Sequence, residues 1–173
     1  MALTAGQIVE AAHGLVAQYG VQDVSMRRVA GELGVQPGAL YYHVPNKQEM
    51  LRRVAHRVLE PLQEVSGRPL ELLQLLRELV LALPDGGDLI LIAYSLDPEL
   101  PPVPALRAAL AREGNNPRTA NDGAGVLMRY ALGALAVEQN VLLFGGSVRD
   151  SSALYDRGLV ALLSAEVEKV PRT

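Results

Sequence analysis

The chain has 173 residues, room for one ordinary domain or for a small module joined to a larger one. Apolar residues make up 49% of it, enough for a real core, and cysteine is absent, which excludes a disulfide framework and thiolate metal sites and fits a reducing, cytoplasmic setting. No basic segment leads into an apolar one at the start, and the longest apolar stretch, 124–144, is interrupted by Arg129 and Glu138, so neither a secretory signal nor a membrane partner is expected.

The pattern predicts helices throughout. Thr4-Ala5-Gly6-Gln7 matches a capping box, and Ile8, Ala12, Leu15 and Tyr19 then repeat on one helical face until Gly20. Ser25 caps a second helix with Met26, Val29, Ala30 and Leu33 inward, ended by Gly34. A short third helix runs from about Gln36 to His43. Asn46-Lys47-Gln48-Glu49 resembles a second capping box and opens a fourth helix, with Met50, Leu51, Val54, Val58 and Leu62 on one side and Pro61 to kink or end it. After Ser66-Gly67-Arg68-Pro69 comes a leucine-rich helix to about Leu83. Residues 84–88 break the chain before a short apolar helix from Leu89 to about Leu96. A proline-rich loop, 97–104, leads to a helix over 104–113. Two long helices finish the chain, about Ala120–Phe144 and Ser151–Val170.

Helices two and three, joined at Leu33-Gly34-Val35, have helix-turn-helix proportions. The net charge of −3 hides an uneven distribution, since Val24 to Arg57 holds six basic residues against two acidic ones. That patch is either a solvated face or an electrostatic footprint for double-stranded DNA. Gln36 is suited to a base edge, Pro37 costs no intrahelical bond, and Gly38 and Ala39 let the helix backbone approach DNA closely. Tyr41, Tyr42 and His43 combine flat faces with polar tips for phosphates, and Lys47, Arg27 and Arg28 add cations. The two adjacent tyrosines stand out in a chain with only six tyrosines and one phenylalanine. His13, His43 and His56 match no metal-ligand spacing, and no metal or other cofactor is expected.

The run from Ile8 to Lys47 resembles the DNA-binding domain of TetR-family transcriptional repressors, on Tyr19-Gly20, Val24-Ser25-Met26-Arg27-Arg28-Val29-Ala30, Leu33-Gly34-Val35, Leu40-Tyr41-Tyr42-His43-Val44 and Asn46-Lys47. The resemblance implies DNA contacts at Ser25, Arg27, Gln36, Pro37, Gly38, Ala39, Tyr41, Tyr42, His43 and Lys47. Pro37 departs from the basic or polar residue that many members carry there.

After Ser66-Gly67-Arg68-Pro69 there is no histidine, no cysteine, no paired carboxylates on an apolar face and no phosphate loop, so the sequence gives an enzyme no support. Asp85-Gly86-Gly87, the segment 132–139 and the segment 155–163 resemble the tetracycline-repressor branch of the same family. That implies an all-α chain in which a helix-turn-helix domain, 1–46, is joined by a fourth helix to a helical ligand-binding and dimerisation domain, 47–173. It also implies a homodimer through the last two helices. The family's metal-contacting His and Thr fall on Ile90 and Ala93, so the inducer is expected to be small and apolar, in a pocket using Leu76, Ile90, Tyr94, Leu106, Leu110, Met128 and Tyr130. The expected function is a repressor that leaves a near-palindromic operator on binding inducer. The alternatives are a DNA-binding regulator controlled by a protein partner and a helical enzyme.

Overall fold

The structure is a computed structural model that describes residues 2–147 and 149–168. Among them there are nine α-helices and no strand: α1 Ala5–Tyr19, α2 Met26–Glu32, α3 Pro37–Tyr41, α4 Lys47–Val58, α5 Pro69–Leu81, α6 Gly86–Leu96, α7 Val103–Arg112, α8 Pro117–Leu143 and α9 Ser151–Glu168. The expected all-α class is thus observed, while Val170, the expected end of the last helix, lies outside the described residues. The chain forms two compact units, one from Met1–Glu60 and Leu79–Leu100 and one from Pro61–Glu78 and Pro101–Thr173. The expected boundary at 46/47 falls inside the first of these units of packing.

In the first unit, local chemistry sets the helix starts. Thr4 closes a capping box, its hydroxyl accepting the Gln7 N–H at 3.2 Å while its own N–H donates to Gln7 Oε1 at 2.9 Å. Such caps are worth about 1 kcal/mol. Ile8, Ala12, Leu15 and Val16 are buried, but Tyr19 is exposed, with the Arg28 guanidinium lying over its ring 4.0 Å from the centroid. Asn46 accepts the Glu49 N–H at 2.8 Å. The expected second capping box nevertheless stays half-formed, since the Glu49 carboxylate binds Arg52 and Arg53 instead. In α4, Met50, Leu51, Val54 and Ala55 are buried, and Leu59 beyond its end takes the inward place expected of Val58. The α-helix stops at Val58, and a single 3-10 turn, Glu60–Leu62, carries the chain through Pro61.

The start of α6 differs from expectation. Gly86 and Gly87 lie inside the helix and are buried, rather than breaking the chain up to residue 88. Asp85 makes the turn in the left-handed region at φ 52°. A Cβ at Gly86 would strike the Val80 carbonyl, so the glycine serves close backbone approach. Within this unit α4 packs on both α1 and α6.

In the second unit α8 packs against α7 and α9. It begins at Pro117, earlier than expected, because Asn116 caps it by accepting the Thr119 N–H at 2.9 Å and proline fits the first turn. By length and composition alone α8 would be apolar enough to cross a bilayer. Its inner face of Ala124, Leu127, Met128, Ala131 and Leu135 is buried within the unit. Glu138 is buried there too, its carboxylate receiving Arg77 Nη2 at 2.5 Å and Nε at 3.2 Å. The Tyr155 hydroxyl donates to the Leu73 carbonyl at 2.9 Å, and burial pushes its ionisation up from the ordinary tyrosine value. The opposite faces of α8 and α9 leave Val126, Val137, Leu142, Phe144, Leu154 and Val160 exposed.

Candidate nucleic-acid interface

The turn between α2 and α3 is tight. Gly34 adopts φ 66°, its N–H bonds to the Gly31 carbonyl at 3.1 Å, and the Val35 N–H reaches the Ala30 carbonyl at 3.0 Å. A side chain would strain that left-handed residue. Ala30 and Leu40 are fully buried, whereas Leu33 and Val35 are only half-buried, so the inward anchor of α3 is mainly Leu40, followed by Val44.

Pro37 occupies the first turn of α3, and Gln36 sits at its N-cap with its side chain making no capping bond. Gln36, Gly38, Tyr41, Tyr42 and His43 are exposed, and Ala39 is half-buried. Tyr42 is 90% exposed and Tyr41 52%. A Cβ at Gly38 would meet nothing within 4 Å. The protein itself therefore has no packing reason to keep that position bare, and its φ is not in the left-handed region. The result is a polar, aromatic helix face with a gap at its centre.

The cations divide. Arg27 is exposed, with no hydrogen bond or ion pair among the described residues. Arg28 is drawn inward, stacked on Tyr19 and with Nη1 3.4 Å from the Asp23 carbonyl oxygen and 3.6 Å from its carboxylate. Ser25 caps α2 by accepting the Arg28 N–H at 3.2 Å. Lys47 Nζ donates to the Val21 carbonyl at 3.4 Å, holding the start of α4 to the α1–α2 turn. That turn also receives Asp85, which accepts the Val21 N–H at 3.2 Å.

A side-chain cluster behind α3 escaped the sequence reading. Glu49 accepts from Arg52 at 2.8 and 3.0 Å and from Arg53 at 2.7 Å. Arg52 continues to Asp97 at 3.0 Å, and His56 meets the same Asp97 oxygen at 2.8 Å. The Arg52 hydrogen bond is the main reason the Glu49 carboxyl is held at about 2, against an ordinary 4.5, with Arg53 adding to it. Asp97 is partly buried, which opposes ionisation, yet His56, the Glu99 N–H and Arg52 together hold its carboxyl below the usual range. The spacing of Glu49, Arg52 and Arg53 on one helix was a readable signal; Asp97 was not. Because Glu49 is depressed in the folded state, its stabilisation is complete above pH 4.5 and is lost as pH falls toward about 2. The stability gap between the native protein and Glu49→Gln should therefore close through that window in urea titrations; a gap that stays constant contradicts the pairing.

The expected pocket residues fall in both units. Ile90 is buried and Tyr94 half-buried in the first, while Leu76, Leu106, Leu110 and Met128 are buried in the second. The Tyr130 hydroxyl donates to the carbonyls of Leu154 and Tyr155 at 3.3 and 3.2 Å, and its ring stacks on that of Tyr155. Tyr130 also lines a cavity of about 730 Å³ beside α8 and α9, with Val137, Val141 and Leu154.

Comparison with known proteins matches residues 8–54 to the model of bacterial regulatory proteins of the tetR family. The chain is 44% identical over 59 residues to the HTH-type transcriptional repressor DrrR1 of Streptomyces coeruleorubidus, covering 34% of this chain and 22% of that protein. It is 41% identical over 54 residues to the HTH-type transcriptional regulator SAUSA300_2515 of Staphylococcus aureus strain USA300, covering 31% of this chain and 29% of that protein. The matched region thus spans well under a third of these curated relatives. Along the whole chain, the crystal structure of Mycobacterium smegmatis BioQ superposes with a TM-score of 0.84 at 28% identity, covering 97% of this chain and 100% of BioQ. BioQ has also been crystallised with its double-stranded DNA operator, and that structure superposes with a TM-score of 0.79 at 28% identity, covering 95% of this chain and 98% of that one. Residues 8–54 thus match the head of the tetR family of bacterial regulatory proteins, and the fold along the whole chain is similar to that of BioQ.

Proposed function

We propose that this protein is a sequence-specific DNA-binding transcriptional regulator, a homodimeric repressor that leaves a near-palindromic operator when a small apolar inducer binds. The observation that carries the DNA-binding reading is the face of α3, where Gln36, Tyr41, Tyr42 and His43 are exposed around a glycine that the fold does not need to be bare. Residues 1–46 then serve as the reading head and 47–173 as the regulatory and dimerisation domain. Gln36 and Ala39 face base edges, and Pro37 and Gly38 keep the helix close. Tyr41, Tyr42, His43, Lys47, Ser25 and Arg27 hold phosphates, with Arg28 supporting them through Tyr19.

One short helix reads too few bases for specificity, so two must act together, and dimer symmetry matches operator symmetry. The exposed apolar faces of α8 and α9 are the surface for that pairing. Val137→Glu, at a position 64% exposed in the single chain, should then shift the protein to monomer in sedimentation analysis. We expect the dimer dissociation constant to rise at least about 100-fold, because two carboxylates would be buried without partners. A variant that stays dimeric would place the interface elsewhere. A small apolar inducer would release DNA only to the extent that it prefers the non-binding arrangement of the heads. Thermal-shift screening of apolar compounds, with duplex release as the second readout, tests this. If the stabilising compounds all leave duplex affinity unchanged, control by a protein partner becomes the better reading.

A further inference from the structure

The cluster behind the reading head forms a continuous path. Asp97 ends α6, its N–H bonded to the Ala93 carbonyl at 2.9 Å. Its side chain is fixed on both oxygens: Oδ1 accepts the Glu99 N–H at 3.1 Å, and Oδ2 meets Arg52 Nη1 at 3.0 Å and His56 Nε2 at 2.8 Å. Arg52 grips Glu49 with two parallel bonds, from Nε at 2.8 Å and from Nη2 at 3.0 Å. Glu49 Oε1 also accepts from Arg53 Nε at 2.7 Å. Arg53 then reaches back with Nη1 to the main-chain carbonyl of His43, just past the end of α3, at 3.1 Å. Every link from Asp97 to Arg53 pairs opposite charges, and the last joins a cation to a carbonyl; such bonds are stronger and more directional than neutral ones. The four side chains are 21–33% exposed, so solvent screens them only in part.

A helix as short as α3 needs such support. It has five residues, a single buried anchor in Leu40, and no side-chain cap at its start. Its C-terminal end is held by the Val44 N–H on the Leu40 carbonyl at 2.8 Å and by Arg53 on the His43 carbonyl. The angle at which Tyr41, Tyr42 and His43 are presented therefore depends on where Arg53 is held, and Arg53 is held by the chain of contacts that begins at the end of α6.

We propose that Asp97 is a positioning residue for the recognition helix, acting through Arg52, Glu49 and Arg53 on the His43 carbonyl. This rests on the DNA-binding reading and deepens it by naming the side chains that carry the coupling. No hydrogen bond joins Asp97 to Arg53 directly among those described, which makes the pair suitable for a double-mutant cycle.

The test compares the native protein, Asp97→Asn, Arg53→Gln and the double variant, all checked for native melting. Two readouts are used. One is anisotropy with a duplex selected by the native protein from a random library. The other is hydrogen exchange of the segment 40–44 without DNA. Asp97→Asn should weaken duplex binding on the order of tenfold and speed exchange in 40–44, and both effects should largely vanish when Arg53 is already Gln. Full, additive effects in both backgrounds would overturn the relay, as would unchanged exchange in Asp97→Asn. If the native protein selects no duplex, the DNA-binding reading fails and the role assigned to Asp97 in DNA recognition falls with it. The exchange readout still decides whether Asp97 is coupled to α3.

Discussion

Gly38→Val is expected to leave the fold intact and to weaken binding to a cognate duplex about 100-fold, a loss of roughly 2.8 kcal/mol. The two halves of this expectation have separate causes. A Cβ at this position meets nothing within 4 Å, so the protein accommodates the side chain, and replacing glycine inside a helix relieves backbone entropy. On the proposed DNA side the branched side chain would hold the helix backbone away from the groove. Hydrogen bonds from Gln36 and the neighbouring tyrosines then exceed their working distance. Gly14 on α1 gives the control, because a Cβ there also meets open space and it lies off the proposed face. Gly14→Val should keep duplex affinity. If Gly38→Val binds as well as the native protein, α3 does not sit in a groove with this face inward.

The second large effect concerns the core of the second unit. Glu138→Ala should cost about 3 kcal/mol of stability, measured by urea unfolding at fixed protomer concentration. The Glu138 side chain is only 4% exposed and that of Arg77 20%, so removing the carboxylate leaves a guanidinium largely out of water with no matching charge. Arg77 also lies over the Tyr155 ring, 6.0 Å from its centroid, and Tyr155 is tied to the Leu73 carbonyl. The loss should therefore spread to the packing of α9 on α8. The combined Arg77→Met, Glu138→Leu variant removes both charges together and should recover most of the stability. A single variant within about 0.5 kcal/mol of the native protein would mean that Arg77 finds water or another partner.

What the sequence disclosed and what it withheld follow from the range of the forces involved. The helix starts at Thr4, Ser25 and Asn46 were legible because a cap is decided within three residues. Gly34 was legible because a left-handed residue in a short interhelical turn has few chemical solutions. The start of α6 was misread for the same reason in reverse: Gly86 and Gly87 look like breakers, and only the nearness of the Val80 carbonyl shows why Gly86 must be bare. Asp97 lies 45 positions from Arg52, and Arg77 lies 61 from Glu138, so neither pairing leaves a local pattern. Arg28 shows a contact that the sequence withheld. Its place in a basic patch suggested DNA, while its stacking on Tyr19 depends on how α1 and α2 meet. The exposed face of α3 was the most legible part of the candidate site, because exposed aromatics beside a bare glycine gain nothing from core packing.

The central claim is that two copies of this chain read a symmetric duplex through α3. In vitro selection from a random double-stranded library with the purified protein, at fixed ionic strength, tests it most directly. The account predicts enrichment of an inverted repeat, with half-sites about one helical turn apart or slightly more, that a Gly38→Val protein fails to enrich. A library that emerges unenriched, with binding that depends on salt but not on sequence, would contradict it.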